Sequence, residues 1–301
     1  MINTFIFAIS LLTASVVYAG EDLQPYLLFG DSGQTIEETN ELLSVALTEI
    51  GFEVLGQYAP AGSPERSVIA VSHPELLKTL SALRASAGFF SVIRIGVITD
   101  NGQTLISLQN PEYWGNAYLQ DEYQKAEAVI EKISSEIANT IQTTFTSANL
   151  RQGYGSTQEF TPEDLRGYHY MFGMPYFEDN VLIGEFSSHH EAVAAIEKNL
   201  QTSSTSSKVF SRDLPGKEIQ LFGVALKGET GEANFVPIID ISSQKHVTFL
   251  PYELLVTGKE VRMLHGRFRI ALSFPDLTMG TFTKIMSTPG EIEDLLNSLS
   301  K

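Results

Sequence analysis

The chain has no cysteine among its 301 residues. This absence excludes a disulfide, a thiolate metal site, a cysteine nucleophile and lipid attachment at an N-terminal cysteine. In an exported protein, the absence suits a bacterial periplasm, where an unpaired thiol would be at risk.

Positive charge is scarce: the chain has 20 Lys and Arg residues but 36 Asp and Glu residues, and its formal net charge is −16. A chain this acidic repels phosphate backbones, so we expect no nucleic-acid partner. Long apolar runs are also scarce after the first nineteen residues. The run "FFSVIRIGVI" is short and is interrupted by Arg94, and we predict no membrane span in the mature chain.

Cofactor and metal motifs are missing too. The sequence contains neither G-x-G-x-x-G nor a Walker loop, so we expect no cofactor. His189 and His190 share the second half with His246 and His265, which leaves a metal-binding accessory protein open as an alternative. Adjacent histidines on a helix point about 100° apart, and no His-x-x-x-His spacing exists. We therefore predict no metal site.

What is present begins with "MINTFIFAISLLTASVVYA". The apolar stretch from Phe5 to Leu12 has the length of a signal-peptide core and is short for a membrane span. Val17-Tyr18-Ala19 fits the small-x-small rule for signal peptidase. We predict a signal peptide over residues 1–19, a mature start near Gly20, and a periplasmic or secreted protein.

The rest of the chain repeats one pattern. "YLLFGDS" is typical of a strand, and a capping box at Thr35 and Glu38 opens a helix after it. "NVLIGEFSSHHEAVAAIEKNL" has the same strand, Gly-acid pair, capping residues and helix. Strands joined by short turns pair antiparallel. The predicted fold is therefore α+β, with two tandem β-α-β-β-(α)-β-β-α units whose antiparallel sheets pack on helices.

Composition sets the predicted boundaries. The first α+β domain spans residues 20–150, and a polar segment rich in Thr, Gln, Ser and Gly forms a linker over residues 151–167. The second α+β domain spans residues 168–301. Its section 235–256 is rich in β-branched and aromatic residues and has no counterpart in the first half, so extra strands are expected there.

The run "GFEVLGQY…SVIAVSHPELLKTLSA…FFSVIRIGVITDNGQTLISLQNP" resembles the domain of unknown function 302 family. The resemblance covers roughly residues 26–145, and the second copy is degenerate. It implies a small α+β domain, sometimes in tandem, with no settled activity. The family often shows Cys-Asn-Pro where this chain has Ser72-His73-Pro74, and Leu-Pro-Cys near Val92-Ile93-Arg94. A family function that depends on those cysteines is therefore not expected here. His73 and Arg94, which stand at or next to these places, are also named as candidate ligand-binding residues.

A basic row supplies the other candidates. In "HGRFRIALSF", His265, Arg267 and Arg269 alternate with apolar residues. On a strand this alternation places the basic side chains on one face. Arginines on that face either pair with internal carboxylates or hold an anionic ligand, since an unpaired buried charge is very costly.

Two further segments bear on function. "YHYMFGMPYF", residues 168–177, concentrates aromatic residues and methionines at the domain junction, where ligand clefts often form. "LLFGDSG" resembles the first block of GDSL-type esterases, in which Ser32 would be the nucleophile. That family's closing Asp-x-x-His is absent. The leading hypothesis is a non-enzymatic protein that binds a small molecule or a periplasmic protein, and a hydrolase using Ser32 is the alternative.

Overall fold

The structure is a computed structural model that describes residues 22–301. The predicted signal peptide lies outside the described residues. The elements of the first half are, in order, β1 (Tyr26–Asp31), α1 (Ile36–Glu49), β2 (Glu53–Tyr58), β3 (Arg66–Ser72), α2 (Pro74–Leu80), β4 (Ile93–Asp100), β5 (Gln103–Gln109), α3 (Pro111–Leu119) and α4 (Glu127–Thr144).

Two short elements, β6 (Gln152–Tyr154) and α5 (Pro162–Arg166), lead into the second half. That half contains β7 (Val181–Glu185), α6 (His189–Thr202), β8 (Ser206–Asp213), β9 (Ile219–Leu226), α7 (Glu232–Ile239), β10 (Tyr252–Thr257), β11 (Glu260–Met263), α8 (Gly266–Ser273), α9 (Met279–Phe282) and α10 (Thr288–Asn297).

Each half contributes one antiparallel sheet. The first sheet has the order β2-β3-β4-β5-β1-β6, and the second has the order β7-β11-β10-β9-β8. Read from β8, the second order matches the first five strands of the other sheet, with every strand number raised by six. Helix α1 lies against β2, β3 and β4, and α6 lies against β8, β10 and β11. The predicted α+β class, with antiparallel sheets packed against helices, is confirmed.

Local sequence features explain several element boundaries. Thr35 caps α1 and exchanges hydrogen bonds with Glu38, as the capping box predicts. Asn101 and Gly102 adopt φ angles of 48° and 80° in the β4–β5 turn, the combination that a tight two-residue hairpin requires. The second capping box is incomplete, since Ser188 accepts from the Glu191 amide but the Glu191 carboxylate accepts from Ser187.

The segment predicted to carry extra strands, 235–256, is organised differently. Its beginning forms the end of α7, and its end forms most of β10, which occupies the place that β4 holds in the first sheet. The expectation of extra strands there is wrong, because apolar and β-branched composition does not distinguish a short buried helix from a strand. The extra strand lies instead in the predicted linker, where β6 pairs with β1 at Tyr26 to Leu28.

The two halves pack through the sheet faces opposite α1 and α6. A turn at residues 247–249 lies on β3, β4 and β5, and a turn at residues 85–90 lies on β9 and β10. A Cβ at Gly96 of β4 would come within 2.5 Å of the Val247 side chain, and one at Gly88 would come within 2.8 Å of Leu255. Glycine at both positions therefore permits this reciprocal close approach.

In the part of the chain that the structure describes, no helix is both long and apolar enough to cross a bilayer.

Candidate functional site

The segment from Gly266 to Ser273 is helix α8 and not a strand. His265 caps it, with its Nδ1 accepting from the Arg267 amide at 3.2 Å. Because the helix advances about 100° per residue, Arg267 and Arg269 point in nearly opposite directions. The expectation that they share one face is wrong. Six consecutive residues, 268–273, are buried, so the apolar alternation in the sequence carried no information about the period.

Arg269 points into the protein and joins a buried charge cluster. Its guanidinium pairs with Glu253 of β10, which also pairs with Arg94 of β4. All three side chains are 1–2% exposed. Arg269 further donates to the carbonyl oxygens of Phe249 at 2.6 Å and Pro251 at 2.7 Å. Of the two outcomes expected for the row, Arg269 shows pairing with an internal carboxylate, and the Arg94–Glu253 pair joins the two halves.

Arg94 and Glu253 hold corresponding places in the two sheets, since each is the second residue of its strand. Arg94 lies opposite Ala70 in the ladder, and Glu253 lies opposite Gly223. Burial, followed by repulsion from Arg269, lowers the pKa of Arg94 to about 9. The group therefore stays charged at neutral pH, and the cluster holds two positive charges against one negative charge. Arg94 and Arg269 therefore belong to the contact between the halves.

Arg267 points outward into a groove that we name the α8 groove. One end of the groove is an apolar slot of about 50 Å³, and the other is an open mouth of about 470 Å³. The two ends share Met174 and Arg267. The slot is completed by Tyr170, Met171, Ile270, Ala271, Phe274, Leu277, Met279 and Phe282, and the mouth by His169, Phe172, Gly173, Pro175, Tyr176, Asp179 and His265.

The electrostatics of the mouth centre on Arg267. This residue is exposed, and no salt bridge within residues 22–301 involves it. Burial and the neighbouring Arg267 lower the pKa of His265, so the imidazole is neutral at neutral pH. Asp179 accepts from the Tyr176 amide at 2.8 Å. The mouth thus offers an available guanidinium beside a neutral imidazole.

The residues 169–176 form the outer wall of the groove. His169 stacks on Tyr176 with ring centroids 4.1 Å apart, and its Nε2 lies 2.8 Å from the Met174 carbonyl oxygen. These contacts close the segment on itself and leave Phe172 fully exposed and Met171 partly exposed at its tip. The aromatic and methionine-rich segment predicted at the domain junction therefore meets two of the predicted basic residues, His265 and Arg267.

The remaining candidates lie elsewhere. His73 caps α2, with its Nδ1 accepting from the Glu75 amide at 3.3 Å, and its ring packs on Phe52. Ser32 is buried and its hydroxyl bonds to Thr39 at 2.8 Å. No hydrogen bond within residues 22–301 joins Ser32 to a histidine. That same range contains no group of three or more His, Asp or Glu side chains arranged to hold a metal ion.

Sequence reasoning missed the buried carboxylates. Glu253 links both arginines, and Glu232 at the start of α7 accepts from the Ala61 amide at 2.9 Å and the Leu226 amide at 3.1 Å. A signal did exist, because Glu253 is a lone acid within the apolar run "FLPYELLV". A buried charge in such a run requires a charged or hydrogen-bonding partner.

Taken together, the chain is a mixed α+β protein with two antiparallel sheets packed on helices. No family model matches it, and no curated protein matches it. Among solved structures it is similar to the "uncharacterized conserved protein DUF302 from Bacillus stearothermophilus", at 18% identity and a TM-score of 0.32, over 42% of this chain and 98% of that chain. A likeness this weak assigns no activity.

Proposed function

We propose that this chain is an exported, non-enzymatic protein that binds a small organic anion with an apolar end in the α8 groove. The observation that carries the proposal is Arg267, an arginine without a salt bridge among residues 22–301, at the junction of an apolar slot and an open mouth. A guanidinium fork matches the geometry of a carboxylate or sulfonate. The slot suits the apolar end of the same ligand.

The side chains that line the groove allow it to accept ligands of different shapes. The mouth alone has the volume of a typical small-molecule site, whereas the slot must widen to take more than a short apolar group. Met171, Met174 and Met279 line the slot, and methionine side chains change rotamer at low cost. The export part of the proposal rests on the signal-like residues 1–19.

Fluorescence titration with 8-anilinonaphthalene-1-sulfonate, an aromatic sulfonate, tests the proposal. We expect saturable binding, displacement by octanoate, and much weaker displacement by octylamine, which has the same chain with the opposite charge. Arg267→Gln should weaken binding by roughly tenfold or more, because a hydrogen bond to a charged group is worth about 1.5–3 kcal/mol. Its melting temperature should stay unchanged, since no salt bridge between described residues involves Arg267.

Lys217→Gln is the matched control. It removes the same charge from an exposed turn between β8 and β9 and should leave the affinity unaltered. Equal affinities for wild type and Arg267→Gln, or equal displacement by octanoate and octylamine, would show that the dye binds exposed apolar surface and would end the proposal.

We further propose that the halves are two related domains of the DUF302 type, the second one diverged. The matching strand orders support this kinship, as do bulges at corresponding places in β2 and β8. DUF302 proteins should then share the order β2-β3-β4-β5-β1, and a different order in them would contradict the relation.

A further inference from the structure

The outer edges of the two sheets are not covered equally. β2 and β8, one edge strand from each sheet, lie against each other, and β6 covers the outer side of β1. β7 takes the place of β1 in the second sheet, but among the strands of residues 22–301 it pairs only with β11. The outer side of β7 is therefore an open strand edge.

β7 matches β1 in detail, and β1 shows what kind of segment pairs at this edge. Each of the two strands has a bulge directly before its glycine, at Phe29 in β1 and at Ile183 in β7. In the first half, β6 pairs antiparallel with the three residues before the bulge, 26–28. The corresponding residues of the second half are 180–182, and we name them the β7 edge. The first half thus indicates an extended antiparallel strand as the occupant of the β7 edge.

The main-chain groups of the β7 edge are oriented to pair with such a strand. On the inner side, the Phe186 amide donates to the Lys259 carbonyl oxygen at 2.9 Å. Main-chain groups alternate between the two sides of an antiparallel strand, and the register beyond the bulge turns those of Val181 toward β11 and those of Leu182 outward. No hydrogen bond between described residues reaches the main chain of Leu182 from outside. The Leu182 side chain is 45% exposed, so an added strand gains apolar contact as well as hydrogen bonds.

The charges around the β7 edge distinguish between possible occupants. Five acidic residues lie close to the two ends of β7 or on α10, which packs against β7: Glu178, Glu185, Glu291, Glu293 and Asp294. Only Glu185 among them has a salt bridge within residues 22–301. A second copy that paired antiparallel through the same edge would bring Glu178 of one chain close to Glu185 of the other, and like charges opposite each other destabilise a sheet. The charges therefore favour a basic segment of a different protein.

We propose that the β7 edge binds an extended segment of another protein, which adds to the second sheet as an antiparallel strand and carries Lys or Arg on both sides of an apolar residue. Main-chain hydrogen bonds to Leu182 supply affinity, and the basic side chains select the partner. The proposal does not rest on the α8 groove, because neither Val181 nor Leu182 lines it.

Fluorescence anisotropy of the purified protein with a labelled heptapeptide of alternating lysine and valine, at physiological ionic strength, tests the proposal. We expect saturable binding at one site and slower hydrogen exchange of the Leu182 amide in the complex. The same peptide N-methylated at its three central residues keeps its charge but loses the N–H donors of a strand. It should bind roughly tenfold or more weakly, because two or three hydrogen bonds are lost. A peptide with glutamate in place of lysine should bind more weakly still.

The chain contains a matched pair of positions for substitution. Leu182→Lys places on the β7 edge the residue that commonly protects strand edges, and it should weaken binding of the lysine–valine peptide roughly tenfold. Leu42 of α1 is 44% exposed, so Leu42→Lys adds the same charge elsewhere and should leave the affinity unchanged. Equal binding of the N-methylated peptide, or equal weakening by the two variants, would reveal only attraction to a chain of charge −16 and overturn the proposal. A dimer seen by sedimentation and lost in Leu182→Lys would also overturn it, because the occupant would then be a second copy.

Discussion

Glu253 should be the single most sensitive polar position at the junction of the two halves. Its carboxylate pairs with Arg94 from the first half and with Arg269 from the second, and all three groups are nearly inaccessible to water. Glu253→Gln keeps the size of the side chain and removes its charge. Two guanidiniums then remain buried without a counter-ion.

The two arginines should not lose the same amount of stabilisation in Glu253→Gln. Arg269 keeps the carbonyl oxygens of Phe249 and Pro251 and the face of the Tyr252 ring. Among residues 22–301 the Arg94 guanidinium has one hydrogen bond, which goes to Glu253, so it has no such substitutes there. Breaking a buried pair by removing one partner costs about 3–5 kcal/mol. We expect a loss of this size in the free energy of unfolding.

Urea denaturation followed by circular dichroism measures this loss. The control is Glu185→Gln, which removes the same charge from a surface pair with Lys259, whose side chains are 54% and 57% exposed. Exposed pairs contribute little to stability, because water and salt screen their charges. A loss for Glu253→Gln that lies within 1 kcal/mol of the loss for the control would contradict the predicted role of the buried charge.

A triple variant tests the cause of the effect. Arg94→Met/Glu253→Leu/Arg269→Met removes all three charges and leaves apolar side chains of similar volume. Replacing a buried ionic cluster in this way is often neutral or stabilising. The triple variant should therefore be more stable than Glu253→Gln alone, and a larger loss in the triple variant would show that packing and not unpaired charge determines the cost.

Three further outcomes are expected. Burial raises the pKa of Glu232 to about 7 from 4.5, so its stabilising contribution is complete below about pH 4.5 and is lost as the pH rises through 7. The difference in unfolding free energy between wild type and Glu232→Gln should therefore change by about 3 kcal/mol over that window. A difference that stays constant with pH in urea titrations would contradict the raised pKa. Ser32→Ala should leave any hydrolysis of p-nitrophenyl acetate unchanged, because Ser32 bonds to Thr39 and to the Gln34 amide; a rate that disappears in this variant would favour the hydrolase. Mass spectrometry of the exported protein should find an N-terminus at or near Gly20, and an intact Met1 would remove the export hypothesis.

The comparison of wild type with Glu232→Gln at each pH cancels the titration of the other buried groups, such as His246. His246 is buried and its pKa is lowered to about 4, so it adds stability that is present above about pH 6.5 and is lost as the pH falls through 4. This effect opposes that of Glu232 over part of the same window. Because His246 is unchanged in Glu232→Gln, its contribution cancels when the variant is compared with wild type at each pH.

Much of the fold could be predicted from the sequence, because local rules govern it. The capping box at Thr35, the turn at Asn101-Gly102 and the Asn110-Pro111 helix start depend on residues within a few positions of one another. The repeated strand–helix pattern predicted two related sheets, and the two strand orders correspond. Residues 265–273 were predicted to be a strand because six consecutive buried residues, 268–273, leave no polar face that would reveal the helical period.

The amino-acid sequence alone excluded cysteine chemistry, predicted the α+β class and fixed the residue types available to a ligand. The role of each arginine, in contrast, depends on the folded structure. Arg267 and Arg269 are identical in type and two positions apart, yet the turn of α8 exposes one to a groove and delivers the other to Glu253. Arg94 reaches the same carboxylate from 159 positions away. Pairing over such a separation depends on how two sheets pack face to face, and no local pattern in the chain encodes that contact.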